Sequence, residues 1–168
     1  LQGNKLTCAE KLKAHDSSVW SISFSPDGNQ LASASADGTF SLWDLQNNSR
    51  KKFTVKNPDD DELVEVYSIS FSQDGKKLAT GSGDGNVYLW DLQGKQLAKF
   101  PGQGEVRSLS FSAQDKYLAI GSEDGTVKLR LTEDFERLHA DQGCNWLNKY
   151  YLVTPSQQQN KLTICQDN

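Results

Sequence analysis

The sequence predicts an all-β fold in which about three similar units each form a four-stranded antiparallel sheet, followed by a short α-helical C-terminal tail. The main observation is an internal repeat. The segment VWSISFSPDGNQLASASADGTFSLWD (Val19–Asp44) returns without a gap at Val66–Asp91 and again at Val106–Leu131. Within each copy, serines alternate with large apolar residues, and Asp-Gly pairs follow the apolar runs. Both patterns are typical of short strands joined by tight turns.

The first strand of each unit has the period-two alternation of a sheet with two unlike faces, as in Ser21, Ile22, Ser23 and Phe24. Asp-Gly pairs suit turns that need a positive φ. Two of them end the first strand and three follow the second: Asp27-Gly28, Asp74-Gly75, Asp37-Gly38, Asp84-Gly85 and Asp124-Gly125. Each unit therefore contains at least three antiparallel strands.

A fourth strand is expected from the segments between the copies. Phe24, Phe71 and Phe111 lie 47 and then 40 residues apart, so the variation in length is confined to these segments. They carry short, partly apolar runs at Lys5–Leu12, Arg50–Val55 and Gln96–Phe100. With this fourth strand, each repeat is predicted to form one four-stranded sheet.

The repeat resembles the WD40 family over residues 12–131. The resemblance depends on Trp43-Asp44 and Trp90-Asp91, on the repeat length, and on an Asp-Gly turn that begins six residues before each Trp. It implies an incomplete β-propeller, whose four-stranded blades pack face to face around a central channel. We therefore expect WD40 blades over 1–131 and a helical tail at 132–168. Within the first part, residues 1–12 are expected to be the outer strand of a missing preceding blade. Blades are expected at 13–55 and 56–100, and a last, degenerate blade at 101–131.

The same resemblance implies a structural tetrad that joins a His before the first strand to a Ser or Thr, the turn Asp and the Trp. In the first unit these residues are His15, Ser33, Asp37 and Trp43. The second unit keeps part of the set, namely Thr80, Asp84 and Trp90, with Glu62 at the His position. The third keeps only Asp124, with Ile120 and Arg130 in the other two places.

None of the candidate chemistries in the sequence predicts an enzyme. His15, Ser33 and Asp37 are the residue types of a hydrolase triad, but the GxSxG turn that exposes a nucleophile is missing. The glycine-rich run Gly81–Gly85 joins two strands instead of opening a helix, so it is predicted to be a hairpin turn and not a phosphate loop. The histidines and cysteines do not converge, and the acidic run 59–62 is expected to be solvated. We expect no cofactor, no metal and no catalytic residue.

The positions predicted to bind a partner lie where the first strand of each unit begins. In the motif VxSxSF the variable residue is Trp20, Tyr67 or Arg107, residue types enriched in binding hot spots. The resemblance places these residues at the top entrance of the ring, together with Ser18, Glu65 and Glu105 two residues earlier, and Ala36, Gly83 and Glu123 before the turn Asp. The alternative for Trp20 is packing against a neighbouring blade, whereas the charge of Arg107 is expected to face water.

Composition favours a protein or peptide partner. The net charge of -4 argues against a nucleic acid. No apolar run is long enough to span a membrane, and the N-terminal residues do not resemble a secretion signal. The three cysteines, Cys8, Cys144 and Cys165, imply neither disulfides nor zinc, so we expect reduced thiols and a cytoplasmic location.

The two ends of the sequence suggest a longer protein. Leu1–Leu6 matches Leu92–Leu97, which directly follows a Trp-Asp pair, so the rest of its own propeller is expected as a partner. In the tail, one short helix is predicted to begin near Thr132, and a second is predicted within Gly143–Tyr151. This tail resembles the end of large multidomain bacterial WD-repeat proteins. The expected function is a non-catalytic interaction scaffold; the alternative is a sensor or autoinhibitory region of a STAND-type signalling NTPase whose catalytic domain lies outside this chain.

Overall fold

A computed structural model of the chain describes residues 12–57, 61–101, 104–132 and 152–153. Every regular element in these ranges is a β-strand. The strands are β1 (Val19–Phe24), β2 (Gln30–Ser35), β3 (Thr39–Asp44), β4 (Ser49–Thr54), β5 (Val66–Phe71), β6 (Lys77–Ser82), β7 (Asn86–Asp91), β8 (Gln96–Pro101), β9 (Val106–Phe111), β10 (Tyr117–Ser122), β11 (Val127–Leu131) and β12 (Leu152–Val153). The all-β prediction is confirmed.

The strands form three antiparallel sheets in which sequential strands are neighbours. We call them sheet 1 (β1–β4), sheet 2 (β5–β8) and sheet 3 (β9–β12). The predicted fourth strands at Arg50–Val55 and Gln96–Phe100 correspond to β4 and β8, which pair with β3 and β7. The predicted helices within 133–151, and the strand predicted at Lys5–Leu12, lie outside the described residues.

Sheet 3 obtains its fourth strand from the segment that the sequence assigned to a helical tail. Leu152 and Val153 pair with Lys128 and Val127 of β11. The sequence gives no comparable signal, because a two-residue strand is too short to display an alternating pattern.

The turns between the first and second strands adopt the positive φ that the Asp-Gly pairs predict. Gly28 and Gly75 have φ values of 72° and 68°. In sheet 3 the same position is Asp115, with a φ of 53°. Its carboxylate accepts hydrogen bonds from the backbone amides of Gln73 (2.6 Å) and Asp74 (2.8 Å). The non-glycine residue thus links the turn of sheet 3 to that of sheet 2.

Two apolar clusters lie between the sheets. In the first, the small and aromatic face of sheet 1 (Ala32, Ala34, Phe40, Leu42) packs against a face of sheet 2 formed by Ile69, Phe71, Leu78, Tyr88 and Trp90. In the second, Ala79, Val87, Leu89 and Phe100 of sheet 2 pack against Leu109, Phe111, Leu118 and Ile120 of sheet 3. Each sheet therefore presents one kind of face to the preceding sheet and another to the following one, as the blades of a propeller do.

Candidate functional site

A β-bulge sets the direction of the variable residue in each VxSxSF motif. The antiparallel pairing skips one residue of each first strand, and the skipped residues are Trp20 in β1, Tyr67 in β5 and Arg107 in β9. A bulge leaves its extra residue outside the ladder and re-aims its side chain. The backbone thus distinguishes the same three positions that vary in the sequence.

These three side chains form a continuous row across the sheets, which we call the rim ladder (Trp20, Tyr67 and Arg107). The rings of Trp20 and Tyr67 meet edge to face, with centroids 6.1 Å apart and an interplanar angle of 71°. On the other side of Tyr67, the guanidinium of Arg107 lies 4.1 Å from the ring centroid. Both are favourable contacts of an aromatic quadrupole. Trp20 remains 55% exposed, so the ladder ends in an accessible indole.

Three glutamates surround the rim ladder. The Tyr67 hydroxyl donates a hydrogen bond of 2.6 Å to Glu65. This bond, helped by partial burial and by the nearby charge of Glu105, raises the pKa of Tyr67 to about 12. Arg107 pairs with Glu105 and, at 3.5 Å, with Glu123. The surface therefore offers a fixed protonated phenol, a paired guanidinium and the exposed carboxylates of Glu65 and Glu123.

The remaining predicted rim positions are joined in the same way in each sheet. The backbone amide before the turn Asp donates to the carbonyl of the residue that lies two before the bulge: Ala36 to Ser18 (3.0 Å), Gly83 to Glu65 (2.9 Å) and Glu123 to Glu105 (2.9 Å). Gly83 also leaves room for Tyr67, because a Cβ at this position would lie only 3.2 Å from the phenol ring. Ser18 and Ala36 supply only small side chains, so in sheet 1 the rim consists mainly of Trp20.

In sheet 1 the structure brings together three of the four predicted tetrad residues. His15 Nε2 lies 2.8 Å from Ser33 Oγ, and His15 Nδ1 lies 3.0 Å from Thr39 Oγ1 and 3.4 Å from Asp37 Oδ1. The Thr39 hydroxyl donates to Asp37, so it accepts from Nδ1, and this assigns the Nδ1-protonated tautomer. Thr39 was not among the residues selected from the sequence.

Burial and hydrogen bonding shift the two ionisable groups of this cluster. Burial lowers the pKa of His15, and the neighbouring Asp37 opposes this shift only partly. Burial raises the pKa of Asp37, but hydrogen bonds from Thr39, from the Asp16 amide and from Lys52 outweigh it and hold that pKa well below its usual value. At neutral pH the cluster is therefore a neutral imidazole beside a carboxylate.

Trp43 is not joined to the sheet 1 cluster. Its ring is half-buried beneath the Arg50 guanidinium, 5.2 Å from the centroid, and within the described ranges its indole donates no hydrogen bond to Ser33. In sheet 2 the equivalent Trp90 is buried between two sheets and donates a 2.9 Å hydrogen bond to Thr80. The difference follows from packing, because only the second Trp is covered by a neighbouring sheet.

Sheet 2 replaces the missing His with a residue that the sequence analysis did not select. The Tyr88 hydroxyl donates a 2.6 Å hydrogen bond to Asp84, while Glu62, at the predicted His position, is exposed. Tyr88 is completely buried and occupies the place that Ser41 has in sheet 1. The sequence did contain a signal for this contact, because Tyr88 stands where the first repeat has the small residue Ser41.

Sheet 3 has a different arrangement again. Asp124 accepts hydrogen bonds from the amide (3.0 Å) and the hydroxyl (2.7 Å) of Thr126, so it closes its turn locally. Arg130, at the Trp position, places its guanidinium 4.2 Å from the centroid of the Phe100 ring in sheet 2. The third unit thus maintains the contact between sheets with a cation over a ring.

The Ser33 hydroxyl is buried, and the described residues contain no cluster of metal ligands. Ser33 is only 4% exposed, so a substrate cannot reach its hydroxyl even though His15 lies beside it. Within the described ranges, no group of three or more His, Cys, Asp or Glu residues could hold a metal ion. In the same ranges we find no helix with the length and apolar character that crossing a membrane requires.

Comparison with known proteins gives matches to one repeat family and to short stretches of individual proteins. The family described as WD domain, G-beta repeat matches residues 6–44, 53–91 and 94–130, together more than half of the chain. A stretch of 38 residues is 53% identical to Notchless protein homolog of Arabidopsis thaliana, and one of 47 residues is 45% identical to WD repeat-containing protein 1 of Mus musculus. A stretch of 43 residues is 46% identical to Protein Mut11 of Chlamydomonas reinhardtii.

These matches to individual proteins are short. They cover 23%, 28% and 26% of this chain, and 8%, 8% and 12% of the respective relatives. The chain is therefore similar to single repeats of much longer proteins.

Proposed function

We propose, on the premise that this chain belongs to the WD40 (WD domain, G-beta repeat) family, that it is a non-catalytic scaffold that binds a protein or peptide through the rim ladder. Members of this family generally mediate protein-protein interaction and are generally not catalytic. The repeats between 12 and 131 act as a rigid frame, and the side chains at the bulges provide the contact.

The observation that carries the proposal is the row of Trp20, Tyr67 and Arg107 at three successive bulges. A rigid aromatic residue loses little conformational entropy on binding and offers a large contact area, and Arg adds directional hydrogen bonds. Tyr67 and Arg107 are already held by Glu65, Glu105 and Glu123, so the surface is preorganised for a partner.

We assign the buried cluster of His15, Ser33, Thr39 and Asp37 a structural role. Its hydrogen bonds connect the segment before β1 to β2 and to the turn before β3. Holding this segment in place keeps the bulge at Trp20 at a fixed position relative to Ala36. We also propose a cytoplasmic location, consistent with three cysteines in no disulfide pattern.

The alternative role, as a sensor or autoinhibitory region of a STAND-type signalling NTPase, uses the same surface. In that case the partner at the rim ladder is an NTPase domain of the same protein. A GxxxxGK[ST] motif in the full-length gene is the sequence feature that separates the two roles.

The test is a double substitution of Trp20 and Arg107 to Ala, with proteins captured from a lysate and quantified by mass spectrometry. The matched control is a double substitution of Leu45 and Lys51 to Ala, which also removes an exposed apolar group and a cation but on the outer part of sheet 1. We expect the rim variant to lose most of the captured partners and the control to keep them. Equal capture by the wild-type protein and the rim variant, with both folded by circular dichroism, would contradict the proposal.

A further inference from the structure

The two ends of the sheets differ in charge. Because sequential strands are antiparallel, the segments between them alternate between the end that carries the rim ladder and the opposite end. Among the described residues, the segments at the rim end contain nine acidic side chains and two lysines, within 13–18, 36–38, 55–57, 61–65, 83–85, 104–105 and 123–126. The turns at the opposite end contain three aspartates and three lysines, within 25–29, 45–48, 72–76, 92–95 and 112–116. Negative charge is therefore concentrated at the rim end.

The excess of negative charge extends to the rim ladder itself. Glu105 and Glu123 share one guanidinium, that of Arg107, and the Glu65 carboxylate accepts its hydrogen bond from a neutral phenol, that of Tyr67. Three carboxylates thus surround one cation. Glu65 and Glu123 are exposed, so their charge is accessible to a partner.

Arg107 shows which chemical group this surface holds. Its guanidinium lies 4.1 Å from the centroid of the Tyr67 ring and pairs with two carboxylates. An aromatic face beside carboxylates favours a cation, because the ring quadrupole and the negative charges both attract it. The same groups disfavour an acidic peptide or a phosphate, since like charges brought together at an interface are costly. The chemistry of the rim ladder therefore favours a basic partner.

An exposed apolar residue lies close to these charges. Leu63 is 60% exposed and comes two residues before Glu65, in the connection between sheets 1 and 2. The connection has a defined conformation, because Leu63 forms an antiparallel β-bridge with Lys56 and lies against the turn at Gly38. Since the connection joins two described sheets, its position does not depend on what flanks sheets 1 and 3. Leu63 therefore adds an apolar contact to the acidic rim end.

We propose that the partner of the rim ladder is a basic peptide segment, in which a Lys or Arg side chain is bound by Glu65 and Glu123 and a neighbouring apolar side chain packs on Leu63. This inference rests on the proposed function, that the rim ladder binds a protein or peptide, and it adds the chemistry of that partner. The cation gains charge-assisted hydrogen bonds, and the apolar contact excludes water from them. The negative potential of the rim end also attracts a basic segment before contact.

The test measures binding of the full chain to three labelled peptides of equal length by fluorescence anisotropy. The basic probe alternates Leu with Lys and Arg, the acidic probe has Glu in place of each cation, and the neutral probe has Ser there. We expect the basic probe to bind roughly tenfold more tightly than either of the others at low salt. Its affinity should fall as the salt concentration rises, because exposed charges are screened.

The decisive variant is the double substitution Glu65→Gln and Glu123→Gln. The new amide oxygen can still accept the hydrogen bond of the Tyr67 hydroxyl, so the charge is removed while the ladder is kept. We expect this variant to bind the basic probe roughly tenfold more weakly. The matched control is Gln73→Lys with Gln114→Lys, which changes the net charge by the same amount at two exposed residues of the opposite end and should bind as the wild-type chain does.

A third variant tests the apolar contact. Leu63→Ser should also weaken binding of the basic probe but keep its salt dependence, because no charge is changed. Wild-type affinity in this variant would remove Leu63 from the site. Circular dichroism of each sample confirms that folded chains are compared.

Several outcomes would overturn the inference: binding of none of the probes, equal affinity for all three, or wild-type affinity for the basic probe in the double glutamine variant. The proposed function is judged separately, from partner capture by the variant in which Trp20 and Arg107 are changed to Ala. Loss of capture there, without a preference for the basic probe, would leave the proposed function standing and the basic partner refuted. Unchanged capture would contradict the proposed function itself.

Discussion

β1 and β5 have nearly the same sequence, VWSISF and VYSISF, yet their apolar residues lie in opposite environments. Ile69 and Phe71 of β5 are buried against sheet 1, whereas Ile22 and Phe24 of β1 are more than half exposed. The local pattern determines that each segment is a strand with an apolar face. The position of the sheet in the array determines whether that face contributes to stability, as expected when each unit contacts only its neighbours.

The largest expected difference comes from removing the same ring from both strands. Phe71→Ala should lower the free energy of unfolding by about 3 to 5 kcal/mol, because it leaves a cavity between sheets 1 and 2. Phe24→Ala should change it by less than about 0.5 kcal/mol, because this side chain is already 59% exposed. Denaturant unfolding at low protein concentration measures both.

Equal losses in the two variants under these conditions would contradict the comparison, because they would mean that β1 is covered within a single chain. Low concentration limits association between exposed apolar side chains such as Phe24.

The sequence predicted the parts of the fold that depend on neighbouring residues along the chain. Alternation and Asp-Gly turns located the first three strands of each unit. Short, partly apolar runs between the copies predicted outer strands at Arg50–Val55 and Gln96–Phe100, where the structure has β4 (Ser49–Thr54) and β8 (Gln96–Pro101). The pairing of Leu152–Val153 with β11 was not predictable, since it depends on a distant segment meeting a free strand edge.

For the candidate site, the sequence predicted the rim positions but not the partners of the buried polar groups. The variable position of the motif identified the residues that the structure joins in the rim ladder, because variation at one position of a strict repeat coincides with the bulge. The partners of buried polar groups were harder to predict. Tyr88 donates a hydrogen bond to Asp84 where the first sheet uses a His, and Thr39 lies between His15 and Asp37. In each case the partner depends on which side chain packs beside the Asp, and the repeat pattern does not specify this.

A second pair of variants compares the two Trp residues of the Trp-Asp pairs. Trp90→Phe should cost about 2 kcal/mol, because it removes the hydrogen bond to Thr80 and part of a buried ring. Trp43→Phe should cost less than about 0.5 kcal/mol, because the half-buried ring makes no such bond.

Thermal unfolding followed by calorimetry is a suitable measurement, with Thr80→Val as a check that the hydrogen bond is responsible. If Trp43→Phe destabilised the protein as much as Trp90→Phe does, the first Trp would be bonded in solution and the contrast between the sheets would fail.

The smallest expected difference is a pH dependence that belongs to sheet 1 alone. The pKa of His15 is lowered in the folded chain, so the unfolded chain binds the proton first as the pH falls below 6.5. The stability that His15 contributes is therefore complete above pH 6.5 and decreases as the pH falls from 6.5 through the folded pKa. Asp37, whose pKa is also lowered, acts only at still lower pH. Sheet 2 has no histidine at this place, since Tyr88 bonds Asp84 there. Unfolding free energies measured from pH 7 downward through 6.5 should depend less on pH in His15→Asn than in the wild-type chain. An unchanged slope in His15→Asn would place the titrating group elsewhere.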